Sequence, residues 1–482
     1  MMKSKRIVAC FDSFKDSLSA QEIGSIVLSS LVKHASYIHQ EDGLIHHHHH
    51  ASSSTQNLSQ NLSSSFDLIN VPLSDGGEGF LHAFQLTHNT GRCTSEMKSF
   101  VVSHVLESSR INNAVIGASF MILSVPAQEM VETNEKHSVN DFKQIAIVES
   151  AKCIGLELVP NDKRNPMHTS TFALGELLKH IIFDLKIHHL CIGLGGSATS
   201  DAGLGLLQAL GLKIWCYNEE TKERFAPDVF YGRHLPMLVD IDASEMIESL
   251  PDDIHIELAC DVTNPFLGPL GAVNIFSKQK GAVDQCMRDS LESGMIRLNN
   301  LYKEQFGLDL STVPGTGAAG GISGSMFAIL SQKGENAVLM KKGIEIIADS
   351  ANIREKIANA ALVLTGEGCF DSQSSSGKVV SLVQEMAHEY NVPLVIICGQ
   401  SKVDDLGKYA FNTRVLPLVP DHFTLDQSMN NTRECLDQLI QRNTHIFRFK
   451  PYGPTRTLSF STPKRYRIDL ETPLKDRWSQ VI

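Results

Sequence analysis

Short apolar runs recur along this chain, each passing through a turn toward a longer segment with helical spacing. RIVACF (6–11) leads to SAQEIGSIVLSSLVKHA, HHLCIGL to GLLQALG, and ALVLTG (361–366) to KVVSLVQEMAHEY, while IAIVES (145–150) and PLVIICG have the same strand-like character. In the first helical segment Ile23, Ile26, Val27, Leu28 and Leu31 recur at helical spacing, and Ser19 with Glu22 three residues on forms a capping-box pattern. Repeated β-loop-α units predict an α/β fold with largely parallel sheets. At 482 residues the chain exceeds what one hydrophobic core usually supports, so two domains are expected.

Charge narrows the partners. With 43 Lys and Arg against 54 Asp and Glu, the net charge of -11 disfavours nucleic acid and anionic membranes, both of which call for positive charge. A small-molecule ligand fits better. The longest apolar runs, such as VPLVIIC, are strand-length and fall far short of the roughly 20 residues of a membrane span. The N-terminus MMKSKRIVACFDSF has no long apolar core of a signal peptide, and the 10 cysteines form no CxxC pair. The expected setting is cytoplasmic, with reduced thiols.

Three stretches break the pattern. Residues 36–65 are rich in Ser, Gln, Asn and His and are expected to be a disordered insert; the histidines at 46–50 have no spaced partner and are assigned no role in catalysis. Residues 124–143 form a second polar loop. Beyond about 445 the chain is basic and proline-punctuated, and is expected to lie outside the core.

Chemistry in parallel α/β sheets collects at the carboxyl ends of the strands. Five segments in such positions are unusually polar: FDSFKDSLSA with Asp12, Ser13, Lys15 and Ser17; PLSDGGEGF with Asp75, Gly76 and Glu78; CIGLGGSATSDAGLG (191–205); ACDVTNPFLGPLGA with Asp261 and Asn264; and LTGEGCFDSQSSSGK with Glu367, Asp371, Gln373 and Lys378. Any one of them reads as a turn. Their repetition of acid, glycine and hydroxyl or lysine suits a site that binds phosphates through backbone amides and Mg²⁺ through carboxylates. GTGAAGGISGS (315–325) adds a further glycine-dense loop.

The stretch 191–205 has a rival reading. Gly193, Gly195 and Ala198 satisfy the dinucleotide pattern GxGxxG/A, and Glu219 lies about 20 residues on, which would make the chain an NAD-dependent oxidoreductase. Asp201 argues against it, because a carboxylate near a pyrophosphate is tolerable only with a metal between them. That favours Mg²⁺-dependent phosphoryl transfer. The Walker pattern GxxxxGK[ST] is absent, as are GxSxG and HExxH.

Nine segments occur in the order seen in the glycerate kinase family of the non-P-loop, bacterial type: FDSFKDSLSA, PLSDGGEGF, IVESAKCIGLELV, RNPMHTSTFALGELL, GLGGSATSDAGLGLLQALG, ACDVTNPFLGPLGA, FSKQKGA, PGTGAAGGISG and LTGEGCFDSQSSSGK. The chain resembles that family over most of 5–35 and 66 to about 440. The resemblance implies a discontinuous flavodoxin-like α/β domain (1–98 and 305–444), an inserted α/β domain (99–304), a C-terminal extension (445–482) and an active site in the cleft between the domains. It implies phosphorylation of D-glycerate by ATP with Mg²⁺, with 2-phosphoglycerate favoured over 3-phosphoglycerate. No nucleic-acid or membrane partner is implied, and the oligomeric state is left open.

By resemblance, Asp201, Lys15 and Glu367 are the candidate catalytic residues, with Asp201 and Glu367 also candidate metal ligands. Sequence does not separate base from ligand. Substrate and nucleotide binding falls to Asp12, Ser13, Asp75, Gly76, Glu78, Gly195, Gly196, Ser197, Asp261, Asn264, Asp371, Gln373 and Lys378. The chain departs from the family pattern at Phe11 (usually Pro), Asp16 (usually Gly), Ser200 (usually Asn) and Ala202 (usually Gly). An alanine adds a Cβ where backbone could approach a ligand, and an extra acid near Lys15 could weaken an anion site. These changes are expected to modulate affinity. An inactive sensor or scaffold of the same fold, with the Ser/His/Gln insert as its interaction surface, is the alternative.

Overall fold

Ile7, Val8, Ala9, Cys10 and Phe11 are all buried, as a strand covered on both faces requires. They belong to β1 (Lys5–Phe11), an inner strand of the first of three sheets among the described residues. The computed structural model describes residues 5–14, 17–34, 66–73, 80–88, 94–126, 142–370, 379–401, 412–418, 431–444 and 446–447. The insert expected at 36–65 lies outside those residues, as do that within 124–143 except at its edges and the tail expected from about 445 except Ile446 and Phe447. Phe447 is buried in a core with residues of the helices Ala20–Lys33 and Thr432–Arg442, so the core extends past the expected boundary there.

The remaining strands are β2 (Phe66–Asn70), β3 (Thr94–Ser103), β4 (Val115–Pro126), β5 (Phe142–Glu149), β6 (His189–Gly193), β7 (Lys213–Asn218) and β8 (Glu223–Phe225). They continue with β9 (Leu238–Asp242), β10 (His255–Ala259), β11 (Val338–Lys341), β12 (Leu362–Phe370), β13 (Leu394–Ser401) and β14 (Thr413–Pro417). The helices that matter here are α1 (Ala20–Lys33), α2 (Phe80–His88), α3 (Phe172–Lys179), α4 (Leu204–Leu210) and α5 (Gln285–Phe306). After them come α6 (Ala318–Leu330), α7 (Gly343–Ser350), α8 (Val379–Glu389) and α9 (Thr432–Arg442).

The first sheet is wholly parallel, in the order β14–β13–β12–β1–β2. The second runs β11–β10–β6–β5–β4–β3, parallel from β11 to β5 and antiparallel beyond. A small antiparallel sheet, β8–β7–β9, completes the set. The fold is thus mixed α/β with largely parallel sheets, as the repeated units predict. β3 runs across residue 98, while α6 and β11, which follow residue 304, pack and pair with the second sheet.

Side chains alternate across a strand, and the alternation sorts the layers. Ile7, Ala9 and Phe11 face α1 and α9. Val8 and Cys10 face the other way, into a core with Phe80 and Phe84 of α2, Ile344 and Ile347 of α7, and Val380 and Val383 of α8. The same core takes Ile145 and Ile147 of β5, Cys191 of β6 and Ala259 of β10, so one helical layer serves both sheets. Each fully buried side chain of this size contributes about 1.5–3 kcal/mol, which couples the sheets strongly. The far face of the second sheet is covered by α3, α4, α5 and α6. At α1 the capping box is formed, with Ser19 accepting from the Glu22 amide and the Glu22 carboxylate accepting from the Ser19 amide.

Connectivity places the carboxyl ends of both sheets on one side. After β2 the Val71 and Leu73 amides still donate to Ala9 O and Phe11 O at the carboxyl end of β1. Seven links later Phe80 packs against Gly193, the last residue of β6, and the Leu81 amide donates to Glu149, the last of β5 (3.4 Å). Seven extended links span at most about 25 Å. The two edges are therefore held within about 25 Å of each other at this link.

Candidate active site

β6 ends in glycine because α2 begins there: a Cβ on Gly193 would lie 2.9 Å from the Phe80 ring. The loop that follows is tied down by its own carbonyls. Gly195 O accepts from Ser150 Oγ (3.3 Å), and Gly196 O from the Leu156 amide (2.9 Å). Gly196 has a φ of 70°, and both glycines are exposed, so the loop presents bare backbone to the outside. Ser197 is buried beneath it.

Asp201 lies deeper, with no exposed surface. Its Oδ2 accepts from the Thr171 amide and hydroxyl (both 2.8 Å) and from the Gly205 amide (3.3 Å), and its Oδ1 accepts from the Gly203 amide (3.2 Å). Thr171 Oγ1 in turn accepts from the Leu206 amide (2.8 Å). One carboxylate therefore satisfies otherwise orphaned amides at the starts of α3 and α4 and favours both helix termini electrostatically. Burial nonetheless holds its carboxyl above the usual range, against the pull of the Thr171, Gly203 and Gly205 donors. Sequence marks Asp201 as base or metal ligand; in the structure it is enclosed on the far face of the second sheet, behind the glycine loop.

Beside it is a residue that motif reasoning did not single out. Lys280 is buried, and its Nζ donates to Thr199 O (2.5 Å) and Ser197 Oγ (3.0 Å). Burial pulls its ammonium down to about 7, with the Asp201 charge acting in the other direction. Ala319, Gly320 and Gly321 wrap this group with successive φ values of 53°, 76° and 96°. A Cβ on Gly320 would sit 2.4 Å from Thr199 O and 3.0 Å from Lys280 Nζ, so the glycine-dense loop 315–325 owes part of its composition to close approach. The sequence cue was Gly281, whose φ of 104° ends the turn carrying Lys280.

The loop after β10 joins the same edge. Asn264 donates to Leu270 O (2.8 Å), and its own carbonyl accepts from the Gly317 amide (2.9 Å). Asp261 Oδ1 accepts from the Gly343 amide at the start of α7 (2.8 Å). By alternation from Ile145 and Ile147, and from Ala259, both Glu149 and Asp261 turn toward the first sheet. Glu149 lies within the IVESAKCIGLELV segment with nothing in the sequence to distinguish it; its burial at the start of α2 becomes visible only in three dimensions.

On the first sheet's edge the Asp12 amide donates to Gly366 O (3.0 Å), which sets Asp12 opposite Glu367 in the register Phe11–Gly366. The Ser13 amide donates to Asp12 Oδ1 (2.7 Å). Asp12 follows Val8 and Cys10, and Glu367 follows Val363, in facing the second sheet. Glu367 is buried. Gly366 must be glycine, since a Cβ would lie 1.8 Å from Ile397 O. The structure thus gathers Asp12, Ser13 and Glu367 on one edge and Gly195, Gly196, Ser197, Asp261 and Asn264 on the other. Lys15, Asp75, Gly76, Glu78, Asp371, Gln373 and Lys378 lie outside the described residues.

Two expectations change with the geometry. Ala202 has a φ of 56° and its Cβ is buried in the far-face core, so the departure from glycine there does not meet a ligand. Glu219 is exposed at the end of the β7 hairpin and pairs with Lys222, in a sheet separate from β6; the strand order needed for a ribose contact is not formed.

A family profile described as the glycerate kinase family matches residues 45–448. The chain belongs to the glycerate kinase family. It is an enzyme, a kinase. Glycerate 2-kinase of Escherichia coli is 33% identical over 402 residues, 83% of this chain and 87% of that protein. Glycerate kinase of Halalkalibacterium halodurans is 30% identical over 370 residues, 76% and 86% of the two chains. A solved structure of a putative glycerate kinase 2 from Salmonella typhimurium superposes with a TM-score of 0.65 at 27% identity, covering 92% of this chain and 98% of that one.

Proposed function

We propose that this glycerate kinase family member transfers the γ-phosphoryl group of ATP to D-glycerate, forming 2-phosphoglycerate. What supports the reading is a bare glycine loop, backed by Lys280, at the carboxyl edge of one sheet, with Asp12 and Glu367 at the carboxyl edge of the other turned toward it by alternation. Phosphoryl transfer needs positioning and charge stabilisation more than covalent chemistry, and these two edges divide those tasks. The name of the Escherichia coli relative, a glycerate 2-kinase, supports attack by the 2-hydroxyl.

The carboxylates of Asp12 and Glu367, opposite one another and facing inward, are hard oxygen donors of the kind Mg²⁺ takes. Mg²⁺ held there would neutralise charge on the transferred phosphoryl group. In this scheme the glycines at 195 and 196 offer backbone to the phosphates, and Ser13 with Lys15 binds the glycerate carboxylate. The substrate hydroxyl bonds to the γ-phosphorus, the bond to ADP breaks, and the hydroxyl proton passes to a carboxylate on the acidic edge. Asp201 acts as a positioning residue, fixing the loop through α3 and α4, and not as a ligand.

Among the described residues no helix is long and apolar enough to cross a membrane, and eight cysteines there are unbridged. The latter supports the cytoplasmic location that belongs to the same proposal. The test is ADP release on adding D-glycerate to enzyme, ATP and Mg²⁺, with the product read by proton-coupled ³¹P NMR. A doublet from the single C2 proton is expected. Coupling to the C3 protons would assign 3-phosphoglycerate instead, and no glycerate-dependent ADP would sink the reading.

A further inference from the structure

The amino ends of β6 and β10, opposite the proposed site, carry a second cluster with its own chemistry. His189 and His255 are direct register partners, and Glu257 pairs with Cys191 two positions on, so all four side chains share the face turned to the helical layer. The two imidazoles meet edge to face, with centroids 4.6 Å apart. One ligand atom from each of His189, His255 and Glu257 lies within 4.8 Å of the other two.

What points to a ligand is the state of the histidines. His189 is only 9% exposed, and both of its ring nitrogens are enclosed without a hydrogen-bond partner. Its Nε2 stands 3.8 Å from Glu257 Oε2, too far for a hydrogen bond. His255 donates from Nδ1 to Asn336 O (2.8 Å), which leaves Nε2 as the bare nitrogen, 3.8 Å from Glu257 Oε1. A backbone carbonyl holding the remote ring N–H is how metal-binding imidazoles are oriented. Burial favours the neutral, ligating form of His189. Burial would raise the Glu257 carboxyl, but the Lys341 ammonium, which donates to it, draws it below the usual range.

We propose that His189, His255 and Glu257 form a site for a borderline transition-metal ion of the Zn²⁺ class, bracing β6 against β10. Ligand atoms around tetrahedral zinc are separated by about 3.4 Å, given bonds of about 2.1 Å, so the set, whose atoms now lie within 4.8 Å of one another, must draw together by up to roughly 1.4 Å to close on an ion. Two imidazoles select against Mg²⁺ and Ca²⁺, which prefer oxygen. Lys341 donates to Glu257 Oε1 (2.7 Å) and also lies 3.5 Å from Asp349, which offers its ammonium another carboxylate when Glu257 turns to the metal through Oε2. Cys191, whose thiol donates to that same Oε2 (3.3 Å), lies beside the cluster.

The test uses the full chain with His46–His50 all replaced by serine, removing the run of five adjacent histidines as a competing ligand set. Titration with Co²⁺ should give one equivalent with visible bands of tetrahedral intensity, displaced by Zn²⁺. Zn²⁺ should also raise the melting temperature. His189→Gln and Glu257→Gln, checked for folding by calorimetry without metal, should each weaken Co²⁺ binding by at least about 30-fold, in line with loss of one ligand. Absence of tetrahedral Co²⁺ in the parent protein overturns the proposal, as does equal affinity in the parent and both variants.

Discussion

Asp201 and Lys280 sit inside the carboxyl edge of the second sheet, whereas Asp12 and Glu367 stand on the edge of the first and face it. Both edges carry charge at strand ends, yet the charges work differently. Inside the second sheet they are matched to backbone amides and carbonyls, so that the glycine loop above them holds one shape. On the first sheet Glu367 is carried by β12 and Asp12 follows β1 directly, its Oδ1 accepting from the Ser13 amide, and by alternation both turn toward the second sheet. Under the proposed function, acid residues in neighbouring motifs split between fixing a loop and meeting a ligand, and their surroundings tell which.

The largest effect should come from the first edge. Glu367→Gln keeps the side-chain shape and removes the charge, so kcat is expected to fall by about 10²–10⁴. Its melting temperature should stay close to that of the parent. Steady-state kinetics at saturating ATP and D-glycerate decide it. A variant within a few-fold of the parent would erase the contrast between the edges.

On the second edge, change should register first as stability. Lys280 has a folded pKa of about 7, below its unfolded value, so between about pH 7 and 10 the unfolded chain binds a proton that the folded one does not. Stability therefore rises with pH in that window, by about 1.4 kcal/mol per unit, and is flat in this respect below it. Comparing urea unfolding of parent and Lys280→Met from pH 7 to 9 should show that slope vanish in the variant. Asp201→Asn turns an acceptor into a partial donor facing Thr171, Gly203 and Gly205, and should cost about 2–4 kcal/mol of unfolding free energy. Turnover per folded molecule should drop by no more than about tenfold, which corresponds to about 1.4 kcal/mol. A loss as large as that of Glu367→Gln would return Asp201 to the chemistry.

Much of the fold was legible because it rests on local signals. The capping box at Ser19 and Glu22 and the apolar runs that became β1, β6, β12 and β13 follow from short-range chemistry, whereas Gly193 and Gly366 are fixed by distant partners, Phe80 and Ile397. The site was legible as a set of loops and not as a set of roles. Nothing near Asp201 in sequence reveals that Thr171, 30 residues earlier, would turn its carboxylate inward. Lys280 and Lys278 look alike until burial separates them, and Glu149 gains its meaning from α2, formed by residues some sixty positions earlier. The histidine pair at 189 and 255 is likewise a product of strand register.

The smallest expected effect tests how loosely the second edge is specified away from its charges. Ala202 holds a φ of 56°, a conformation that costs a non-glycine residue about 1–2 kcal/mol. Replacing it by glycine recovers that strain but gives up about 0.8 kcal/mol of methyl burial and adds about 0.5–1 kcal/mol of unfolded-state entropy. Those terms nearly cancel, so Ala202→Gly should shift unfolding free energy by less than about 0.5 kcal/mol. Ala202→Val keeps the strain, worsens it through β-branching and overfills the far-face core, where Gly321 approaches its backbone, for a cost of about 2–3 kcal/mol. If chemical denaturation shows glycine to be strongly stabilising, the alanine is strained beyond its φ. The loop would then be held by tension at 202, and not only by the bonds to Asp201.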